Sequence, residues 1–171
     1  SDQIVETNSC ADTRNRTEQY PHCGRCSQCF DRRFAMLAAG LENYDPDDAY
    51  AVPLISGPRN EVRDREIALS YVRNALNYEV FEPVDLQNTY PSVLDAVGYL
   101  ELPPDVGLSQ VHGLLQRHGK AVASVMRTKA PSAGQAVPGS LPALFGQAQR
   151  EPRLAPASTL KTVASSRDKT F

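Results

Sequence analysis

The chain has 171 residues and a mass of 18.7 kDa, enough for one domain with a hydrophobic core. Apolar residues make up 41% and charged residues 22%, which suits a globular protein and excludes collagen-like and coiled-coil classes. No apolar run approaches the roughly 20 residues that cross a bilayer, and the first residues lack the basic and apolar regions of a signal peptide. We therefore expect no membrane partner.

The first predicted elements are short. Ile4 and Val5 resemble the end of an extended segment, and residues 11–22 form a polar loop with almost no apolar side chains. Such a loop has too few apolar side chains to form a hydrophobic core, so an ordered conformation would require another kind of interaction. A helix is predicted from Ser27 to Gly40, where glycine is a typical C-terminal stop. Its apolar side chains repeat at helical spacing: Phe30, Phe34, Leu37 and Ala38.

Three further helices are predicted over residues 61–81, 92–100 and 108–128, because apolar side chains recur every three to four positions. Proline follows the first two, at Pro83 and Pro103-Pro104, and proline does not continue a helix. Strand signals are scarce. The 171 residues of the chain are therefore predicted to be mainly α-helical.

The C-terminal part differs in composition and charge. Residues 131–171 are rich in Pro, Ala, Ser and Gly, which predicts a low-complexity, largely disordered tail. Residues 1–116 carry 9 basic and 18 acidic side chains, whereas residues 117–171 carry 9 and 2. The basic residues of the tail are scattered and few aromatic side chains accompany them, so nucleic-acid binding is not the favoured interpretation.

The cysteines are the most informative feature. All four, Cys10, Cys23, Cys26 and Cys29, lie within a span of 20 residues, and none follows. Disulfide frameworks of secreted domains usually spread their bridges across the fold. The crowding instead indicates one metal site in a reducing compartment, and we expect a cytoplasmic protein.

The spacing Cys-x12-Cys-x2-Cys-x2-Cys suits a tetrahedral zinc site with four thiolates at about 2.3 Å. Gly24 lies in the first short spacer, where a tight turn needs conformational freedom. An iron–sulfur cluster is an alternative, since it also uses Cys-x2-Cys spacing, and disulfides or inert thiols are a third interpretation. His22 is interpreted as a loop residue. A closed shell of four thiolates leaves no position for a substrate, so zinc here is expected to be structural.

The residues around the cysteines resemble a known family. The segments are Thr7-Asn8-Ser9-Cys10, His22-Cys23-Gly24-Arg25-Cys26-Ser27-Gln28-Cys29-Phe30-Asp31-Arg32-Arg33-Phe34-Ala35, Ala39-Gly40 and Asp45-Pro46. They are similar to the C-terminal zinc segment of QueC-type 7-cyano-7-deazaguanine synthases. The resemblance covers roughly residues 4–50. It implies that the four cysteines are the zinc ligands, and it places Arg32 at the family's arginine after the last ligand.

The resemblance also implies a fold and an activity. QueC-type enzymes have a Rossmann-like α/β fold of the adenine nucleotide α-hydrolase type, with an S-G-G-x-D-S loop that binds pyrophosphate. They use ATP to adenylate 7-carboxy-7-deazaguanine, which ammonia converts to the amide and then the nitrile on the way to queuosine. The cofactors implied are therefore zinc and ATP, and the implied substrate is a 7-deazaguanine.

This chain departs from the family pattern in three ways. It contains no S-G-G-x-D-S, and its spacer between Cys10 and Cys23 is longer than expected for the biosynthetic enzyme. In addition, about 120 residues follow Asp45-Pro46, where the family normally ends. We therefore expect an N-terminally truncated QueC-like ATP-dependent ligase, or a paralogue from a defence or modification operon. Its zinc segment would be residues 1–50 and its helical extension residues 51–130. The alternative is a stand-alone zinc module that binds a protein or nucleic acid, so enzyme activity of these residues is uncertain.

Two residues near the ligands are candidates for further roles. Arg32 either reaches toward a substrate or belongs to a solvated helix face paired with aspartate. Ser9 either forms a hydrogen bond to a metal ligand or is an ordinary loop serine. No residue of the chain is identified as catalytic.

Overall fold

A computed structural model describes residues 3–12, 14, 17–129 and 136–151 of the chain. Seven α-helices and two short 3-10 turns are found there, and this part contains no β-strand. The helices are α1 (Gln3–Glu6), α2 (Ser27–Ala38), α3 (Val62–Tyr78), α4 (Pro83–Thr89), α5 (Val93–Gly98), α6 (Pro104–Lys129) and α7 (Leu141–Arg150). The expectation of a mainly helical chain is confirmed. None of the described helices has the length and apolar character needed to cross a bilayer.

The chain divides into two compact units. The first unit comprises Ser1–Asn74 and Ala121–Glu151, and the described part of the second is Ala75–Lys120. The two long helices α3 and α6 each contribute residues to both units. All four cysteines belong to the first unit.

Periodicity predicted α2, α3, α5 and α6 close to their observed bounds. Helix α2 starts at Ser27, and Gly40 follows its end with a φ of +67°, as a C-terminal glycine does. Helix α6 begins a turn earlier than expected, because Pro104 occupies its first position, where the missing N–H costs nothing.

Three sequence expectations are wrong. Ile4 and Val5 lie in the single turn of α1 and are not extended. Helix α3 already ends at Tyr78, so Pro83 is not its terminator; Pro83 instead begins α4, where Asp85 Oδ2 accepts a hydrogen bond from the Glu82 N–H at 3.0 Å. The tail predicted as disordered contains α7, which buries five side chains: Leu141, Pro142, Leu144, Phe145 and Ala148. Residues 131–135 and 152–171 of that tail lie outside the described residues.

The second unit has a small aliphatic core. Leu86, Val97 and Leu108 are buried together, and four partly buried side chains pack against them: Tyr90, Val93, Val111 and Leu115. Gly119 in α6 approaches α3 so closely that a Cβ there would lie 2.5 Å from the Ala75 carbonyl oxygen. A close helix crossing of this kind requires glycine.

The first unit places an aromatic cluster behind the cysteines. Tyr71 of α3 lies between two phenylalanines of α2, with ring centroids 5.1 Å from Phe30 and 5.6 Å from Phe34. Its hydroxyl donates to Asp31 at 2.9 Å. Since Phe30 follows Cys29 directly, this contact fixes the start of α2 beside the cysteine cluster.

Candidate metal centre

The four cysteine sulfurs converge on one point. All four Sγ atoms lie within 4.8 Å of one another, and the closest distances are 3.5 Å for Cys26–Cys29, 3.9 Å for Cys23–Cys29 and 4.0 Å for Cys10–Cys26. Four thiolates at about 2.3 Å from a tetrahedral zinc ion would be about 3.8 Å apart. The arrangement therefore fits a single four-coordinate ion.

The alternatives fit less well. No disulfide joins the four cysteines, and even the closest sulfur pair is well beyond the roughly 2.05 Å of a disulfide bond. In a four-iron cluster each thiolate binds a different iron atom, which spreads the sulfurs more widely than one shared ion does. The spacing thus favours one metal ion such as zinc.

The turn between Cys23 and Cys26 is built on glycine. Gly24 has a φ of +71°, and a Cβ there would lie 2.0 Å from the Val52 carbonyl oxygen. Any other residue would be strained and would also push residues 52–53 away. The sequence-based expectation of a tight turn at Gly24 is confirmed, and the close approach of Val52 is an additional reason for glycine.

Helix α2 supplies the last two ligands. Cys26 is the residue before its first turn, and Cys29 lies in that turn, three positions on, so that both sulfurs project to the same side. Cys29 is fully buried, whereas Cys26 is the only one of the four that is partly exposed. Cys26 lines an open cleft in which Arg25 pairs with Asp64 at 3.3 Å.

Backbone N–H groups point at the sulfurs. The N–H of Arg25 approaches the Cys23 sulfur at 3.4 Å, and the N–H of Cys23 approaches the Cys10 sulfur at 3.5 Å. Cys10 itself is positioned by Asn8, whose Oδ1 accepts from the Cys10 N–H at 3.0 Å. Such N–H groups stabilise thiolate charge around a metal.

Without a cation the sulfurs do not ionise together. Hydrogen bonds with Cys23 and with Cys29 hold the pKa of Cys26 far below its usual range. The same hydrogen bond to Cys26, with burial, raises the pKa of Cys23 to about 11, and the pKa of Cys29 is also raised. A metal ion that binds here would therefore displace protons from the site, as expected for thiolate ligands.

Arg32 of α2 connects the segment before Cys10 with Asp45, which follows α2. The Arg32 side chain is only 9% exposed and donates to Asp45 Oδ1 at 2.6 Å. Its other nitrogens donate to the carbonyl oxygens of Thr7 (3.0 Å) and Ile4 (2.9 Å) and to the Thr7 hydroxyl (2.7 Å). The aspartate pairing considered for Arg32 is therefore present, but the solvated setting is wrong, because the guanidinium is largely buried and also holds α1 in place.

Asp45 is the centre of a larger network. It is 1% exposed, and its Oδ2 accepts from the Tyr50 hydroxyl at 2.8 Å. Arg33 donates to the Asp45 carbonyl oxygen and to Asp47 at 3.0 Å. Burial, followed by the charge of Asp45, raises the pKa of the Tyr50 hydroxyl, which stays protonated as a donor.

Tyr50 links this network to the ligand segment. Its ring lies 5.0 Å from the His22 ring, and the His22 backbone forms hydrogen bonds with Ala49 (3.2 Å) and Ala51 (2.9 Å). His22 lies outside the group of sulfurs that could hold a metal, consistent with its interpretation as a loop residue. Ser9 is exposed, and its neighbour Asn8 is the residue that organises the turn before Cys10.

Arg59 is a buried residue beside the site whose structural role sequence reasoning missed. Its guanidinium is 2% exposed, lies 5.3 Å from the centroid of the Phe30 ring and donates to three carbonyl oxygens: Gly57 (2.8 Å), Leu54 (2.8 Å) and Gly24 (3.2 Å). Burial lowers its pKa to about 10, so the side chain remains charged at neutral pH. Arg59 therefore fastens the Gly24 turn to residues 54–57.

The backbone of Arg59 also holds the segment before α7. Its N–H donates to the Gly139 carbonyl oxygen at 3.1 Å, and Gly139 has a φ of +76° that brings the two backbones together. No periodic pattern marks a buried arginine of this kind. The only sequence signal is its position between Pro58 and the start of α3.

Comparison with known proteins adds no relative. No family model, no curated protein and no solved structure matches the chain.

Proposed function

We propose that the chain binds one zinc ion through Cys10, Cys23, Cys26 and Cys29 and that the ion has a structural role. The observation that carries this proposal is the convergence of four sulfurs within 4.8 Å of one another. Four thiolates complete the zinc shell and leave no site for a reacting water or substrate. The ion would order the polar loop of residues 11–22, which has no apolar core of its own.

Metal analysis of the purified chain tests this proposal. We expect one zinc per chain, lost in Cys29→Ser and retained in Ser27→Ala, a matched change of an exposed residue two positions away. A chain with iron and inorganic sulfide, or one that retains full zinc in Cys29→Ser, would contradict it.

We further propose that residues 1–50 are the C-terminal zinc segment of a QueC-like ATP-dependent ligase. The support is that the residues carrying the resemblance form one packed arrangement. Gly24 and Gly40 have the positive φ that glycine allows, and Arg32 is bound to Asp45. Motif residues that depend on each other in this way are more specific than cysteine spacing alone.

On this proposal the nucleotide-binding α/β part would precede the residues in hand, and ATP and a 7-deazaguanine substrate would bind there. Arg32 would act by positioning α1 and Asp45, since four of its N–H contacts are already made within the chain. The contribution of the zinc segment would be a rigid end to the enzyme.

Assays of the complete coding sequence test the ligase proposal separately from zinc binding. The full-length protein, given ATP, ammonia and 7-carboxy-7-deazaguanine, is expected to release AMP and form the amide and then the nitrile, detected by mass spectrometry. The 171-residue chain alone is expected to show no turnover. A full-length protein that binds zinc but leaves ATP and substrate unchanged would contradict the ligase proposal and favour the interaction module.

A further inference from the structure

The second unit has an apolar surface at the connection between α5 and α6. We call residues 94–106 the α5–α6 turn. It exposes five large apolar side chains within thirteen positions: Leu94, Tyr99, Leu100, Leu102 and Val106. Tyr99 is 87% exposed, more than any other large apolar residue that the structure describes. Single exposed apolar residues are ordinary, but a group of five on one short connection marks an interaction surface.

The base of the α5–α6 turn is rigid. Val97 is buried in the core of the second unit with Leu86 and Leu108. A Cβ on Gly107 would lie 2.7 Å from Val97 Cγ1, so α6 packs directly on α5. The N–H groups of Tyr99 and Leu100 donate to the carbonyl oxygens at positions 96 and 97 at 3.2 and 3.0 Å. The exposed side chains are therefore presented by an ordered backbone, which reduces the entropy cost of binding.

Acidic side chains interleave with the apolar ones. Asp95, Glu101 and Asp105 are exposed, and none of them forms an ion pair or side-chain hydrogen bond with a residue that the structure describes. Residues 75–120 as a whole carry six acidic and two basic side chains. The apolar surface thus has a rim of unpaired negative charge.

Glu101 has a strained backbone. Its φ of +52° is the only positive value at a non-glycine residue among the described residues. Glycine would adopt this conformation without strain, so a glutamate here costs folding stability. Strain of this kind is common at binding sites, where a side chain serves recognition and not folding.

We propose that the α5–α6 turn docks a segment of another protein in which apolar side chains are flanked by lysine or arginine. The apolar residues would bury Tyr99 and its neighbours, and the basic residues would pair with Asp95, Glu101 and Asp105. A second copy of the chain is a poor occupant, because two-fold pairing would bring the carboxylates of both copies together. The same charges disfavour nucleic acid and anionic lipid.

A labelled synthetic peptide of leucine and lysine, spaced to form one apolar and one basic helix face, is a suitable probe. Binding to the full chain as purified is measured by fluorescence anisotropy at physiological ionic strength. We expect Tyr99→Ser to weaken binding about tenfold. Val62→Ser, at an exposed valine of the first unit, is the matched control and should leave binding unchanged.

Two variants separate charge from backbone strain. Glu101→Gln keeps the strained φ and removes the charge, whereas Glu101→Gly removes both. Both are expected to weaken peptide binding about threefold, while only Glu101→Gly raises the melting temperature. These changes leave the cysteine segment untouched, so the outcome is independent of the zinc proposal.

Several results would overturn the docking proposal. They are equal binding of a peptide with the same composition but scrambled faces, equal binding of a leucine–glutamate peptide, and no effect of Tyr99→Ser. Concentration-dependent dimerisation that Tyr99→Ser abolishes would assign the surface to a second copy instead.

Discussion

Residues 7–60 and residues 75–120 differ in what fills their interiors. The first segment buries four polar or charged side chains together with the cysteine sulfurs: His22, Arg33, Asp45 and Arg59. The second closes around aliphatic residues such as Leu86, Val97 and Leu108, and its buried polar side chains are Asn77 and Asp85. Burying a polar or charged side chain costs free energy unless it is paired or hydrogen-bonded. The stability of the first segment therefore depends on a few specific polar contacts and, on the zinc proposal, on a metal, whereas that of the second depends mainly on buried apolar area.

Removal of zinc should produce the largest difference in stability between the two segments. Structural zinc contributes on the order of 10 kcal/mol of binding energy to local folding. In the metal-free chain we expect amide protection to be lost in α2 and over residues 45–60 and retained in α4, α5 and the first half of α6. Hydrogen exchange followed by mass spectrometry checks this. Uniform loss of protection in both regions would contradict the distinction.

Asp45→Asn is expected to destabilise the chain by about 3–5 kcal/mol, because it leaves Arg32 buried without its carboxylate and removes one of the two carboxylates that pair with Arg33. Asp48→Asn is the matched control, since Asp48 is exposed, and should cost less than about 0.5 kcal/mol. Urea unfolding of the zinc-loaded variants measures both. Equal stability of the two variants would show that the buried network contributes little.

Gly24→Ala and Gly40→Ala separate a steric clash from backbone strain. Both glycines have a positive φ, but only Gly24 has a backbone atom within contact distance of the added Cβ. We expect Gly24→Ala to cost about 3 kcal/mol or more and to weaken zinc binding, and Gly40→Ala to cost about 1 kcal/mol with zinc binding intact. Competition with a chelator measures the zinc affinity of each variant, and thermal unfolding measures its stability.

Of these changes, Glu42→Gln should alter the stability of the fold least. The Lys129 ammonium, at 2.8 Å, lowers the pKa of the Glu42 carboxyl from its ordinary value of 4.5. Since the pKa is lower in the folded state, the pair stabilises the fold above about pH 4.5 and loses that effect as pH falls through the folded pKa. The small stability difference between wild type and variant should therefore disappear in acid, which thermal unfolding between pH 7 and pH 3 measures. A difference that grows in acid would contradict this sign.

The features that local sequence patterns encode were predictable. Cys10, Cys23, Cys26 and Cys29 lie close together in sequence and in space, and α2, α3, α5 and α6 have clear apolar periodicity. Helix α7 was missed, because the Pro- and Gly-rich composition of residues 131–171 concealed a short pattern in which Leu141, Leu144, Phe145 and Ala148 share one face.

Features that depend on long-range packing were not predictable. Arg59 is buried because carbonyl oxygens from residues 24, 54 and 57 meet at its guanidinium, and no local pattern marks that position. Arg32 was recognised as a candidate, but its partners Ile4 and Thr7 lie more than twenty positions away. The relation to QueC-type enzymes stays a prediction.

Zinc-edge X-ray absorption of the purified full chain tests the central claim most directly. We expect four sulfur ligands at about 2.3 Å around one zinc ion per chain. A shell that contains nitrogen or oxygen ligands, or a chain without zinc, would contradict it.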